Sequence, residues 1–369
     1  MGDSLDALFE KLSDFDLSVR TQALHKIVAL LNKNFPPCGT NVNMHFHSFF
    51  SYNAEDFSPV RIALEARNKG LYAAGLCDFD VLDGLEEFLH AGNVLALRTA
   101  VNIETRAYLG EFADKEINSP GEPGVTYIMG AGFARIPPDG SNQRETLHGY
   151  KERARNRNMA LVNRINSCLE PVAISYEEDV LPLTPSGNAT ERHIVKAYIH
   201  KAISVFEKPE KVAVFWEKYL GKKKEEIIEL MADMPTFEEI VRSKLVKKGG
   251  IGYEQPSVTT FPPVKEFIDM VIACDAIPMI TWLDGTSAGE ADARKMLECL
   301  EAKGCCALNI IPDRNWNISD SEKKKIKMAK LREIILEAEK MDLPINIGTE
   351  MNKQGLPFFD DLSCDALRP

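Results

Sequence analysis

The stretch Asn43–Asn53, NMHFHSFFSYN, carries two histidines separated by a single residue. Residues two apart in an extended strand point the same way, so His45 and His47 would present two imidazoles to one side of a strand. This is the geometry of half a metal site, although an arbitrary H-x-H more often marks a strand with two hydrogen-bonded histidines. The surrounding sequence has to decide between the two interpretations.

Strand and helix patterns alternate on both sides of this stretch. A helix is predicted from Ser58 to Gly70, with proline in its first turn and glycine at its end. Further apolar strands are predicted at 71–76, 99–104, 125–129, 277–282, 307–311 and 343–348. Alternation of this kind predicts parallel strands joined by crossover helices.

Polar residues two positions apart stand where four of the strands finish: His45/His47, Asp78/Asp80, Asn102/Glu104 and Glu350/Asn352. In a parallel (β/α) barrel these ends share one rim, and active sites lie on that rim. The four pairs therefore favour a metal or substrate site over an ordinary strand. Imidazole together with carboxylate suits a divalent transition metal.

Composition narrows the class of protein. The 369 residues fit one large α/β barrel with an insertion, and the 44% hydrophobic and 27% charged residues are those of an ordinary globular protein. The net charge of −11 should repel polyanions, so we expect a small-molecule substrate and no nucleic acid. Eight cysteines without a C-x-x-C pair, no export signal and no apolar run of membrane-spanning length predict a cytoplasmic protein without a membrane partner. A homo-oligomer stays open.

Four segments are predicted along the chain. Residues 1–40 form an N-terminal helical extension, read as two short amphipathic helices that serve packing or oligomer formation. Residues 41–141 and 263–369 form the two halves of the barrel. Between them the alternation stops, and 142–262 is predicted to be a helical insertion that caps the rim.

The ordered series His45-Phe46-His47-Ser48, Cys77–Asp80, Asn102–Glu104 and Gly348–Asn352 resembles the motif series of the PHP (polymerase and histidinol phosphatase) family. The resemblance covers both barrel halves but neither the extension nor the insertion. It implies an α/β fold, a distorted (β/α)7-type barrel, together with a cluster of divalent ions such as Mn, Zn or Fe and hydrolysis of phosphoesters.

Two positions depart from the family pattern. Phe79 stands where the family has a histidine ligand, and Asn352 replaces the imidazole of the closing motif by a weaker amide oxygen. We therefore expect one or two ions rather than three.

The resemblance and the strand-end positions together give a set of candidate site residues. The expected metal ligands are His45, His47, Glu104, Glu350 and His193, the last because it follows a Pro/Gly loop able to fold over the rim. Asp78 or Asp80 would orient a water molecule or protonate the leaving group. The expected substrate contacts are Arg314, Asn315, Asn352 and Lys353, with Arg314 binding a phosphate or carboxylate oxygen or, equally, pairing with Asp313.

Three functions stay open at this point. The first is a metal-dependent phosphoesterase that acts on a small phosphorylated metabolite. The second is a metal-dependent hydrolase of a non-phosphate bond, which the same mixed rim would serve. The third is a barrel that has lost catalysis and binds a ligand, as the residues at positions 79 and 352 suggest.

Overall fold

Seven strands form one sheet in the part of the chain that the computed structural model describes, which is 4–32, 34–364 and 367. They are β1 (Val42–Phe46), β2 (Ala73–Phe79), β3 (Arg98–Tyr108), β4 (Val125–Ala131), β5 (Ile277–Thr281), β6 (Ala307–Ile310) and β7 (Ile345–Ile347).

Helices precede the sheet, separate most of its strands and fill the segment between β4 and β5. They are α1 (Leu5–Lys11), α2 (Leu17–Leu30), α3 (Pro59–Asn68), α4 (Leu85–Leu95), α5 (Asn142–Asn166), α6 (Glu191–Phe206), α7 (Pro209–Leu220), α8 (Lys224–Met231), α9 (Met234–Leu245), α10 (Val264–Ala273), α11 (Ala293–Glu301), α12 (Asp313–Trp316) and α13 (Ser321–Lys340). None of these described helices is both long and apolar enough to cross a membrane.

The strands neighbour one another in chain order, and the sheet curls into a nearly closed barrel. The two edges meet where Phe46, at the end of β1, bridges to Glu350, which follows β7. The backbone N–H of His47 donates to the Glu350 carbonyl at 2.9 Å, and the Glu350 N–H donates to the His45 carbonyl at 2.8 Å. The predicted α/β class and (β/α)7-type barrel are thus confirmed.

Strand β4 is the exception to the predicted parallel arrangement, which is wrong for this strand. It runs antiparallel to both β3 and β5. The reason is the connection from β3: residues 109–124 contain only a short 3-10 turn, Gly110–Phe112, and no crossover helix, so the chain turns back beside β3. As a result the start of β4, not its end, lies beside the carboxyl end of β3, with Val125 opposite Tyr108.

Small and sulfur-containing side chains fill the barrel interior below its rim. Cys77, Met129, Ala131, Met279 and Ala307 form one buried cluster contributed by β2, β4, β5 and β6. Because alternate residues of each strand face inward, the residues two positions nearer the rim on β2, β4 and β5 stand above this apolar floor. They belong to the layer that holds the candidate site.

The chain divides into two compact units, one comprising the residues up to 148 together with those from 261 onward, the other 149–260. In the first unit, the two helices predicted for the N-terminal extension are confirmed as α1 and α2. A buried ion pair between Arg20 of α2 and Glu87 of α4 ties them to the barrel helices. The second unit is helical and has its own core, which includes Tyr198, Trp216 and Phe237. The capping role assigned to the insertion 142–262 stays a prediction.

Candidate metal centre

Two imidazoles and one carboxylate converge inside the barrel at its rim. His45 and His47 belong to the end of β1 and Glu104 to β3, and their side chains are 0%, 0% and 2% exposed. Glu104 Oε2 lies 3.4 Å from His45 Nε2 and 3.5 Å from His47 Nε2. One potential ligand atom from each residue lies within 4.8 Å of the other two. This convergence follows from the inward alternation that the H-x-H and N-x-E patterns predict.

The ionisable side chains of this group are buried, and hydrogen bonds do not fully compensate their charges. Within the described residues, neither His45 Nε2 nor Glu104 Oε2 meets hydrogen-bond geometry with any partner. Burial by itself lowers the pKa of His45, but the facing Glu104 carboxylate outweighs it and raises that pKa above the ordinary histidine value. Burial also raises the pKa of Glu104. Buried nitrogen and oxygen ligand atoms of this kind fit a divalent transition-metal ion, which would replace the proton the pair otherwise holds.

Asparagines on β6 and β7 support the ring of His45 from the other side. Asn309 Nδ2 lies 3.4 Å from His45 Nδ1, and Asn346 Nδ2 donates to Asn309 Oδ1 at 2.8 Å. Gly348 allows the close approach, since a Cβ atom built there would lie 2.4 Å from the His45 Cβ. Sequence reasoning missed both asparagines, whose only signal is a polar residue inside a short apolar strand.

Asp78 contacts the candidate metal centre indirectly, through hydrogen bonds to two serines of the segment 43–53. Its Oδ1 accepts from the Ser48 N–H at 2.7 Å and from Ser51 Oγ at 2.7 Å, and its Oδ2 accepts from Ser48 Oγ at 2.6 Å. Ser51 Oγ in turn lies 3.4 Å from His47 Nδ1. Burial raises the pKa of Asp78 to about 6, against the lowering effect of these hydrogen bonds. The carboxylate therefore orients His47 through Ser51.

An aromatic wall stands beside the two histidines. The Phe79 ring is stacked on the His47 imidazole, with centroids 4.7 Å apart and planes 11° apart. On its other side Phe79 contacts Tyr127 of β4 at 5.8 Å. At position 79, where the resemblance implies a histidine ligand, the chain therefore has an apolar ring that packs against the candidate ligand His47.

Asp80 is held outside the three-residue group. Its backbone has a left-handed φ of 60°, and its Oδ1 accepts from Thr105 Oγ1 at 2.5 Å. Thr105 neighbours Glu104 on β3, so its side chain faces the opposite side of that strand. The catalytic role expected for Asp80 stays a prediction.

Glu350 lies at the barrel seam next to the centre, but outside the three-atom group. Its Oε2 accepts from an Arg314 guanidinium N–H and, at 2.7 Å, from Asn352 Nδ2. The sequence analysis considered Asp313 as the protein partner of Arg314, whereas in the structure Arg314 pairs with Glu350. The Arg314 side chain is 34% exposed, whereas Glu350 is buried and Lys353 is exposed.

Two further candidates make local contacts of their own. Asn315 is buried and its Nδ2 donates to the Ile311 carbonyl at 3.1 Å and the Leu283 carbonyl at 3.2 Å, which joins the loops after β5 and β6. His193 lies in the helical unit, where its Nδ1 accepts from the Thr190 N–H at 3.0 Å in a capping box of α6. Burial lowers the pKa of His193 to about 3, so the ring is neutral. The ligand role of His193 and the substrate role of Asn315 stay predictions.

Comparison with known proteins gives structural relatives only. No protein-family model matches the chain, and no curated protein matches it. A protein assigned as a metal-dependent phosphoesterase from Bifidobacterium adolescentis is similar in structure, with a TM-score of 0.54 and 17% identity over 88% of this chain and 94% of that one. An amidohydrolase from Chromobacterium violaceum, with bound sulfate and no metal, has a TM-score of 0.56 and 14% identity over 89% of this chain and 94% of its own. At these identities the likeness establishes the fold.

Proposed function

We propose that this protein is a metal-dependent phosphoesterase that hydrolyses a small phosphorylated metabolite. One observation carries the proposal: two histidines and a glutamate place three buried ligand atoms within 4.8 Å of one another at the rim of the barrel. In barrels of this kind the rim at the carboxyl ends of the strands is where substrates bind. We further propose a cytoplasmic protein with no nucleic-acid or membrane partner.

His45, His47 and Glu104 would hold one ion of Mn, Zn or Fe. Glu350, at the seam beside His45, is the candidate ligand for a second ion. A bound divalent ion would lower the pKa of a water molecule and polarise a phosphoryl oxygen. Asn309 and Ser51 would keep the two imidazole rings oriented toward the ion, as outer partners of metal-bound histidines do.

Arg314 is the candidate group for binding substrate charge. Its guanidinium uses one N–H on Glu350, and the partly exposed side chain has further donors arranged for two oxygens of a phosphate. Asn352 donates to the same Glu350 oxygen and therefore lies beside the Arg314 guanidinium. Against a net charge of −11, a localised guanidinium favours a small anion over a polyanion.

Asp78 has the acid–base properties that hydrolysis near neutral pH requires. Its pKa of about 6 lets it hold or release a proton in that range, and Ser51 connects it to His47. Asp80, on the loop after the same strand, is the alternative proton donor for the leaving group.

The test starts with metal content. Purified protein should contain transition metal in a fixed ratio to the chain, and the double variant His45→Ala with His47→Ala should lose it. His200→Ala, in α6 of the helical unit, is the control and should keep it. Equal metal in the wild type and the double variant would refute the centre. A panel of phosphomonoesters and phosphodiesters with added Mn²⁺ then tests whether the protein hydrolyses a phosphoester bond. If the metal-loaded protein hydrolyses none of them, the proposed phosphoesterase activity is refuted.

Two other functions have an observation in their favour. The same donor set would serve hydrolysis of a non-phosphate bond, so amide and carboxylic ester substrates belong in the panel. Phe79, which fills a position beside His47 with an apolar ring, favours a binding protein without catalysis. The second alternative requires that the metal-loaded protein bind phosphorylated compounds without turning them over.

A further inference from the structure

Thr281, the last residue of β5, carries a buried hydroxyl for which the described part of the chain offers no partner. The residue is 4% exposed, and its Oγ1 makes no hydrogen bond within the described residues. A buried polar group without a partner destabilises the folded state, so a native structure usually has a functional or structural reason to keep one. The neighbouring Thr126 of β4 shows the ordinary case. It is 1% exposed, and its Oγ1 donates to Asn118 Oδ1 at 3.1 Å.

The strand register places the Thr281 side chain inside the barrel. Met279, two residues earlier, belongs to the apolar floor, and it pairs with Met129 of the same floor. Side chains two apart share a face, so Thr281 stands directly above that floor. Thr126 lies one residue from the inward-facing Tyr127 and therefore faces the other side of the sheet. The unpartnered hydroxyl is the inward one of the two.

A ring of contacts connects Thr281 to both histidines. On one side Thr281 pairs with Asn309, whose amide lies 3.4 Å from His45 Nδ1. On the other side Asn118 joins Thr281 to Tyr127, since its Nδ2 donates to the Thr281 carbonyl at 2.7 Å and its Oδ1 accepts the Tyr127 N–H at 2.7 Å. Tyr127 then contacts Phe79, which stacks on His47.

These contacts surround the interior of a small barrel. A barrel of about eight strands has an interior just wide enough for side chains or one small ligand, and this barrel has seven in its described part. A molecule that binds at His45, His47 and Glu104 would therefore lie in the part of the barrel interior that Thr281 faces. The floor below the hydroxyl is apolar and includes Cys77, Met129 and Met279. It therefore offers the hydroxyl few hydrogen-bond partners.

We propose that Thr281 is a substrate-binding residue whose hydroxyl donates a hydrogen bond to a phosphoryl oxygen of the substrate. The inference rests on the proposed phosphoesterase function. The added contact favours substrates that place an acceptor oxygen on the side of the centre where β5 lies. The hydroxyl has no protein partner among the residues that the structure describes, and it gains one when substrate binds.

Two isosteric variants test the assignment. Thr281→Val removes the unpartnered hydroxyl, and Thr126→Val removes the partnered one as the matched control. Both are compared with the wild type by thermal unfolding without metal, by calorimetric titration of inorganic phosphate in the presence of Mn²⁺, and by kcat/KM on the best substrate of the panel. Thermal unfolding does not depend on activity.

We expect the two variants to behave oppositely. Thr281→Val should unfold at the wild-type temperature or above it, because no protein hydrogen bond is lost, while its affinity for phosphate and its kcat/KM fall about 10- to 100-fold. Thr126→Val should unfold at a lower temperature and keep its phosphate affinity.

The inference is overturned if Thr281→Val binds phosphate as tightly as the wild type, or if it loses stability as Thr126→Val does while its activity stays unchanged. Either result would assign the hydroxyl to the fold. Failure of the proposed function gives a different result: the metal-loaded wild type itself then neither binds phosphate nor turns over any phosphoester, and the substrate contact is overturned with it.

Discussion

Replacing Glu104 by glutamine should remove metal binding while leaving the fold intact. The substitution keeps the size of the side chain and one of its two oxygens but removes the one negative charge among the three ligand atoms. Outer-shell partners of metal ligands already contribute about 10- to 100-fold to affinity, so loss of the charged ligand should cost at least about 100-fold. Without metal, loss of the Glu104 charge also removes most of what raises the pKa of His45, so the imidazole can lose its proton and no buried charge is left without a partner; we therefore expect a stability close to that of the wild type.

Thermal unfolding with and without Mn²⁺ converts this loss of affinity into a measurable shift. At about 100 times its dissociation constant, an ion that binds only the folded state stabilises it by about 2.7 kcal/mol. For a unit of this size that corresponds to a rise in Tm of about 5–10 °C. At the same Mn²⁺ concentration, a variant weakened 100-fold gains only about 0.4 kcal/mol, or about 1 °C.

The control is Glu122→Gln. Glu122 is a carboxylate of the same unit that pairs with Arg106 at 2.8 Å and belongs to no ligand group. It should show the full wild-type rise in Tm. If Glu104→Gln shows that rise as well, the ion binds elsewhere and the proposed centre is wrong.

Two further variants test the surroundings of the centre. Asn309→Leu removes the amide beside His45 Nδ1 and should weaken Mn²⁺ binding about 10- to 100-fold in a calorimetric titration; an unchanged affinity would show that the imidazole needs no partner there. Glu290, which accepts three backbone N–H groups after β5, has its pKa raised by burial to about 7. A carboxyl whose pKa is raised on folding stabilises the fold at low pH, and this contribution is lost as the pH rises through about 7. Glu290 should therefore account for about 3 kcal/mol of the stability that the wild type loses between pH 4.5 and pH 8, and Glu290→Gln should lose correspondingly less in urea unfolding at the two pH values. Equal losses would exclude Glu290 as the source.

Strand-end patterns were sufficient to find the barrel and to point to three residues that the structure brings together. His45 and His47 are neighbours at i and i+2, and Glu104 ends the same pattern on another strand. This inference needs only the two-residue period of a strand and the shared rim of parallel strands. Neither depends on packing detail, which is why sequence reasoning reached it.

The partners of these residues could not be found in the same way. Thr281 and Tyr127 share the rim because β4 runs antiparallel, and nothing in its residues distinguishes that direction from the parallel one. Asn309 reaches His45 across 264 residues of sequence, a contact that depends on barrel closure. Glu350 and Arg314 were assigned separate roles from their positions, whereas the structure shows them paired.

The seam between β1 and the segment after β7 joins residues that lie far apart in the sequence, so the ribosome synthesises one side of the seam long before the other. Asn43 donates to Thr349 Oγ1 across 306 positions, and the Phe46–Glu350 bridge closes the barrel at the same place. Until residue 350 has left the exit tunnel, β1 lacks its second neighbour and keeps an open edge. The proposed ligands His45 and His47 therefore gain their complete surroundings only after the chain has been made up to this seam. A chain truncated before this point would carry the two histidines on a strand that pairs with β2 on one side and has an open edge on the other, an arrangement that favours pairing with another chain.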